Sequence, residues 1–165
     1  SNVQDATTAL EAAMTSAAQP QGWYTTAEGK WMYGEGDGYY VDGWKKIGNF
    51  WFFFNADGTA KQNEWFQDGS NWYYCGNSCV AYSGWGKVDG SWYYFSKANV
   101  MCTGWIRPSN SYYYLNPTSG KMVTGWAQIG GKWYYFSTDS NNLGAMLTST
   151  TTPDGYQVGA DGAMI

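Results

Sequence analysis

Pairs of aromatic residues, most of them tryptophans, recur along this chain at a fixed interval. In each pair a Trp follows a small or polar residue, and a second aromatic residue comes seven or eight positions later. The first Trp of each pair lies 20 or 21 residues after the first Trp of the pair before it. Aromatic rings have electron-rich faces that attract cations, and any site that they form here is repeated along the chain. The six pairs are Trp23/Trp31, Trp44/Trp51, Trp65/Trp72, Trp85/Trp92, Trp105/Tyr112 and Trp126/Trp133.

Composition favours a binding surface. Aromatic residues make up 20% of the 165 residues and charged residues only 13%, and so many rings cannot all lie in a core of this size. Exposed aromatic clusters usually indicate binding. The net charge is −4, with no basic stripe, which disfavours nucleic acid and favours a cationic ligand. No apolar run approaches the length of a membrane span, so we expect no membrane insertion.

The sequence lacks the residue combinations that enzymes commonly use for catalysis. His is absent, which excludes His-dependent triads and His-based zinc sites, and we expect no metal and no cofactor. The carboxylates of Glu35, Asp37, Asp42 and Glu64 are scattered and form no recognisable general acid and base pair. We therefore expect this chain not to be an enzyme. A hydrolase remains an alternative only if its catalytic domain lies upstream.

Three cysteines are present. Cys75 and Cys79 enclose the short loop 76–78, and this spacing permits a disulfide in an oxidising compartment. Cys102 is then left over, and we expect it to be a buried small residue. The three lack the paired spacing of a metal site.

The elements that position the rings are predicted to be short β-hairpins. From residue 22 onward each repeat has two aromatic runs separated by a tight-turn dipeptide such as Asp68-Gly69, which tolerates the positive φ of hairpin turns. A second class of turn, such as Asp57-Gly58, joins successive repeats. Asn99 and Cys79 stand at the equivalent place, and we expect both in a left-handed conformation.

We therefore predict an all-β fold, a solenoid of stacked β-hairpin repeats of about 20 residues, because a lone hairpin is only marginally stable. Residues 22–165 form the repeat module, with six hairpin repeats and a C-terminal cap over 153–165. Residues 1–21 are Ala-rich and predict a short N-terminal helix. This helix is either a linker or a cap on the first repeat.

These repeats resemble the choline-binding, or cell-wall-binding, repeat. The shared pattern is Gly-Trp, six residues, Trp-Tyr-Tyr-Phe and then Gly-x-Met, as in Gly84-Trp85 with 92–95 and Gly125-Trp126 with 133–136. The resemblance implies a solenoid that attaches secreted surface proteins of Gram-positive bacteria and their phages to choline, or phosphocholine, on cell-wall teichoic acid. It also implies sites between consecutive hairpins, formed by aromatic residues from both, often with a Met.

The residues suit such a ligand on physical grounds. A trimethylammonium group has a permanent charge and no N–H donor, so aromatic faces rather than hydrogen bonds must hold it. Strand alternation places the Trp and the second Tyr of Trp-Tyr-Tyr-Phe on one face. We therefore predict cages of both aromatic residues of one pair with the second Tyr of the next repeat. These cages are Trp44, Trp51 and Tyr74; Trp65, Trp72 and Tyr94; Trp85, Trp92 and Tyr114 with Met101; and Trp105, Tyr112 and Tyr135 with Met122.

The two end pairs depart from the pattern. Trp23/Trp31 would have Phe53 as its partner, and no Trp-Tyr-Tyr cluster follows Trp133. We therefore expect three or four sites. A carbohydrate-binding module for glucan or another cell-surface glycan stays open as the alternative, since sugars also stack on aromatic faces. The second Trp, present in five of the six pairs, favours choline, because the glycan-binding repeats that resemble these usually lack it.

Overall fold

The computed structural model describes residues 21–165, and these form antiparallel hairpins joined by turns. Within that range fourteen strands pair two by two into seven two-stranded sheets, which confirms the all-β prediction. The predicted N-terminal helix lies outside the described residues, except for Gln21, which begins β1. The strands are β1 (Gln21–Thr25), β2 (Trp31–Glu35), β3 (Gly43–Ile47), β4 (Phe50–Phe54), β5 (Glu64–Asp68), β6 (Asn71–Cys75), β7 (Gly84–Val88), β8 (Ser91–Phe95), β9 (Gly104–Ile106), β10 (Tyr113–Leu115), β11 (Gly125–Ile129), β12 (Lys132–Phe136), β13 (Thr150–Thr151) and β14 (Gln157–Val158).

The described residues fall into two compact units. Unit 1 comprises residues 21–68 and 73–82, and unit 2 comprises residues 69–72 and 83–165. In unit 1 the core is a cluster of Phe52, Phe54, Ala60 and Cys79. In unit 2 the most deeply buried side chains end the second strand of successive hairpins. They are Phe95, Leu115 and Phe136, each 0% exposed, and Val158.

Each hairpin carries a short third edge. After the second strand the chain turns back, and in every hairpin from β3–β4 onward a single bridge pairs the strand's last residue with a Met or an Ala; in β1–β2 the bridge joins Gly34 and Tyr39. The same Met or Ala also ties its repeat to the previous one, because its N–H donates to the carbonyl of the second aromatic residue of the preceding pair. These bonds are Ala60 to Trp31, Ala81 to Trp51, Met101 to Trp72, Met122 to Trp92, Met146 to Tyr112 and Met164 to Trp133, all 2.8–2.9 Å.

Asn99 and Cys79 take a left-handed conformation in the turns between repeats, as predicted. Asn99 and Cys79 each have φ +67°, at the place where Gly144 has φ +82°. Cys75 and Cys79 are free, buried thiols, so the disulfide that their spacing permits is not formed. Cys75 fills the fully buried position at the end of β6, and Cys79 packs in the core of unit 1. Cys102 is half-buried.

Candidate ligand-binding clefts

Strand alternation decides which rings meet between neighbouring hairpins. In the β7–β8 hairpin Trp85 lies opposite Tyr94, and both are on one face, whereas Tyr93 is on the other. A hairpin that follows in the same orientation presents its opposite face to that Trp. The observed contacts agree: Trp85 lies 4.9 Å from Tyr113, between ring centroids, and the planes make an angle of 67°. Tyr113 follows Tyr112, which replaces the Trp of Trp-Tyr-Tyr-Phe. The neighbour of Trp85 is thus the residue at the first Tyr position of that pattern in the next hairpin.

The same relation holds wherever both rings lie in one unit. Trp105 lies 5.0 Å from Tyr134 in unit 2, and Trp44 lies 4.8 Å from Tyr73 in unit 1. Trp23 packs against Phe52 at 4.8 Å, and not as expected against Phe53.

The predicted choice of the second Tyr is therefore wrong as a pairing between hairpins. The second Tyr packs against the first Trp of its own hairpin, because the two are cross-strand partners. Within one strand the Trp and the second Tyr do share a face, but the same alternation turns the second Tyr of the next hairpin away from the preceding Trp pair. The observed pairs are Trp65 with Tyr74, Trp85 with Tyr94, Trp105 with Tyr114 and Trp126 with Tyr135, at 5.0–5.2 Å.

An open cleft of about 310 Å³ lies beside the pair Trp85/Trp92, which belongs to the third predicted cage. We call it the 85/92 cleft and define it by Trp85, Trp92, Tyr113 and Met122. Both Trp side chains are half-buried. The segment 140–143 completes the wall, with three polar residues, Ser140, Asn141 and Asn142, followed by Leu143.

A second cleft, of about 520 Å³, lies beside the next pair. We call it the 105/112 cleft and define it by Trp105, Tyr112, Tyr134 and Met146. The first two rings stand 6.2 Å apart at 88°, and they are 40% and 41% exposed. Two nearly perpendicular, partly exposed rings form a corner that a rounded cation can enter. The remaining lining residues are Arg107, Asn110, Ser111, Thr148, Ala160 and Asp161.

The methionine of each cleft comes from one repeat later than expected. Met122 lines the 85/92 cleft, where Met101 was predicted, and Met146 lines the 105/112 cleft, where Met122 was predicted. The reason is the backbone bond that binds each Met to the preceding pair. The Met122 thioether lies against Gly144, where a Cβ would overlap the sulfur. Met101 lies in the same way against Gly120.

In unit 1 the pair Trp44/Trp51 forms a similar corner, at 6.5 Å and 80°. Trp51 is 40% exposed. Ala81 donates its N–H to the Trp51 carbonyl, as Met122 does to that of Trp92, so this corner has an Ala at the Met position and lacks a thioether. The predicted cage of Trp65, Trp72 and Tyr94 draws its first residue from unit 1 and the others from unit 2, and it remains a prediction.

The last pair has a partner that the sequence reading missed. Trp126 lies 5.7 Å from Tyr156 at 88°, and its indole N–H donates to Asp154 at 2.8 Å. The available signal was that Tyr156 is the one aromatic residue after position 136, two residues before the buried Val158, as Tyr134 is before Phe136. The pKa of Asp154 is lowered, first by the hydroxyl of Thr152 and then by the indole of Trp126.

Three known repeat families match the parts of the chain that form these clefts. Models of the choline-binding repeat match residues 82–124 and 124–164, and a model of a putative cell wall binding repeat matches residues 42–60 and 63–78. The chain belongs to the choline-binding repeat family. The family matches cover both clefts of unit 2 and the Trp44/Trp51 corner of unit 1.

Solved structures of choline-binding proteins are similar to this chain. Choline binding protein F from Streptococcus pneumoniae, in the presence of a peptidoglycan analogue, is 32% identical with a TM-score of 0.76, over 88% of this chain and 47% of that protein. CbpJ from the same organism is 34% identical with a TM-score of 0.76, over 88% and 48%. The pneumococcal cell wall endolysin from phage Cp-1, complexed with choline, is 27% identical with a TM-score of 0.56, over 85% and 41%. The chain thus spans about half the length of these choline-binding proteins, or less.

No curated protein sequence matches the choline-binding repeats of this chain significantly. Among the residues that the structure describes, no helix has the length and apolar character needed to cross a membrane.

Proposed function

We propose that this chain is a non-catalytic module that attaches a secreted protein to choline on cell-wall teichoic acid. The observation that carries the proposal is the 85/92 cleft, where two indoles, a phenol and a thioether surround one opening. None of these four groups carries a charge or needs a hydrogen-bonding ligand. They suit a permanent cation with an apolar methyl shell.

The ring geometry supports an affinity that is weak at each site. Each aromatic face contributes roughly 0.5–2 kcal/mol to binding a cation, and association costs offset part of this. Dissociation constants on the order of a millimolar are expected for free choline. A polymer that carries many cholines would engage several clefts at once, and its avidity would exceed that of any single site.

The carboxylates support the non-catalytic assignment, since several have structural partners. Asp57 accepts from the backbone and hydroxyl of Thr59, and Asp68 accepts from the indole of Trp44. The similar proteins also support a cell-wall location, since one is an endolysin solved with choline and another was solved with a peptidoglycan analogue. In this proposal the chain supplies attachment, and any hydrolytic activity would belong to another domain.

Glycan binding is a second candidate because of one observation. Ser140, Asn141 and Asn142 line the 85/92 cleft beside the two indoles. Sugars stack on aromatic faces and need polar groups for their hydroxyls, which these side chains could provide. The two candidates differ in the group that enters the corner between the rings.

A fluorescence titration separates them. Choline should quench or shift Trp fluorescence at millimolar concentration, and a soluble glucan should neither do so nor compete. The Trp92 ring forms a wall of the cleft, so the variant Trp92→Ala should be retained less on a quaternary-amine resin. Lys132→Ala, an exposed change at the start of β12, is the matched control and should be retained like the wild type. A response to glucan without a response to choline would reverse the ranking.

A further inference from the structure

The 105/112 cleft differs from the 85/92 cleft in the charge at its rim. Arg107 directly follows β9 and Tyr112 directly precedes β10, so the register of the hairpin places them opposite each other. The guanidinium carbon lies 4.8 Å from the centroid of the Tyr112 ring. Arg107 is exposed and lines the cleft together with Asp161.

Two other hairpins also carry a cation at the equivalent position, with Lys46 opposite Trp51 and Lys87 opposite Trp92. Lys87 is the cross-strand partner of Trp92, and its ammonium nitrogen lies 5.8 Å from that ring. Within the described part of the chain, the residues that line the 85/92 cleft do not include Lys87. Gln128, the partner of Trp133, is neutral. Of the two clefts of unit 2, the 105/112 cleft is therefore the one that has a cation among its lining residues.

The guanidinium of Arg107 is open to an anion. Stacking on a ring uses the face of the guanidinium and leaves the N–H donors at its edge free. The two ion pairs found among residues 21–165, Lys45 with Glu35 and Lys61 with Glu64, do not involve it. Ser111 and Asn110 line the same cleft and add polar side chains near this end of the hairpin.

We propose that the 105/112 cleft binds phosphocholine as a unit, with the trimethylammonium group in the ring corner and the phosphate on Arg107. This inference rests on the proposed function and adds the phosphate to the ligand. Guanidinium matches phosphate geometry through paired N–H donors. The carboxylate of Asp161 favours the cationic end of the ligand, so the two charges of the cleft orient a zwitterion. The larger volume, about 520 Å³ against about 310 Å³, leaves room for the ester.

The test needs a separate signal from each cleft. The full chain is labelled with 5-fluorotryptophan, and the ¹⁹F resonances of Trp105 and Trp85 are assigned with the variants Trp105→Phe and Trp85→Phe. Choline chloride, phosphocholine and inorganic phosphate are then titrated into the wild type, Arg107→Gln and Arg107→Lys. The Gln variant introduces the residue that the chain already has at position 128, so a folded protein is expected. The Trp85 resonance reports on an unchanged cleft in the same sample.

In the wild type the Trp105 resonance should show tighter binding of phosphocholine than of choline, and the Trp85 resonance should not. Arg107→Gln should raise the dissociation constant for phosphocholine at Trp105 by about threefold to tenfold, a modest factor because the charge is exposed. Its dissociation constant for choline should change by less than about twofold, since the ring corner is intact. Arg107→Lys should keep part of the preference, and added salt should reduce it.

Specific results would overturn the inference. If Arg107→Gln tightens both ligands, the guanidinium itself occupies the corner and competes with choline. If both ligands weaken equally, the residue has only a structural role. Phosphatidylcholine vesicles are titrated as a fourth ligand, and a Trp105 response confined to them would assign the cleft to a lipid surface instead. Choline binding at Trp85 with no response at Trp105 would defeat this inference alone, whereas silence of both resonances would defeat the proposed function.

Discussion

The indole N–H of Trp126 donates a 2.8 Å hydrogen bond to the carboxylate of Asp154, which lies in the following hairpin. In unit 1 Trp44 makes the same kind of bond to Asp68 at 2.9 Å. In each case the first Trp of a pair is held by its nitrogen as well as by its ring, which contacts a Tyr of the next hairpin. The first Trp is therefore the fixed wall of a corner, and the second, more exposed ring is the wall that a ligand reaches first.

Acidification should release Trp126 from this bond. Because the pKa of Asp154 is lowered in the folded protein, its bonds add stability above the ordinary pKa of 3.8, and this is lost as the pH falls through the lowered value. The ¹⁹F resonance of Trp126 in the fluorotryptophan protein should titrate with a midpoint below 3.8. In Asp154→Asn this transition should be absent. A midpoint above the ordinary value would contradict the assigned bonds.

The first Tyr, and not the second, should contribute to choline binding in the 85/92 cleft. Tyr113→Leu removes a ring that contacts Trp85, and loss of one aromatic wall should weaken choline at this cleft by about threefold to tenfold. Tyr114→Leu is the matched control, since that ring packs on Trp105 of its own hairpin. It should leave the affinity reported by the Trp85 resonance unchanged. If Tyr114→Leu weakened choline at Trp85 and Tyr113→Leu did not, the sequence-based prediction of Tyr114 as the cage residue would be correct.

The support beneath Met122 should be measurable through a pair of glycine variants. Gly144 and Gly131 have nearly equal φ, +82° and +81°, but a Cβ at Gly144 would overlap the Met122 sulfur, whereas nothing lies within 4 Å of one at Gly131. Each change should cost about 1–2 kcal/mol of backbone strain. Gly144→Ala should cost more, and it alone should weaken choline at the 85/92 cleft. Thermal unfolding and the Trp85 resonance measure the two effects, and equal losses would argue against the Met contact.

The two buried thiols of unit 1 should be unreactive in the folded protein. Burial raises the pKa of Cys75 to about 12 and that of Cys79 to about 11, so neither forms appreciable thiolate at pH 8. Iodoacetamide at pH 8 should modify these residues only after denaturant is added, as measured by mass spectrometry of tryptic peptides. Rapid modification of Cys75 without denaturant would show that its side chain is not packed as described.

Local sequence determined the repeat itself. The 20-residue interval, the turn dipeptides and the aromatic runs predict hairpins because turn conformation and strand alternation depend on neighbouring residues. Asn99 and Cys79 show this best: both take the left-handed conformation that their place in the repeat required. The Trp residues of the clefts could be named for the same reason, since they lie at a constant spacing within each hairpin.

Only the tertiary structure decided what each Trp pair faces. Alternation relates side chains within a strand, but it does not say which side of the next hairpin is turned toward them. That orientation comes from the turn between repeats and from the backbone bond that joins each Met or Ala to the preceding pair. It brings in Tyr113 rather than Tyr114, and Met122 rather than Met101, at the 85/92 cleft. It also brings Arg107 and Asp161, 54 residues apart in the chain, to the wall of one cleft, which no local pattern contains.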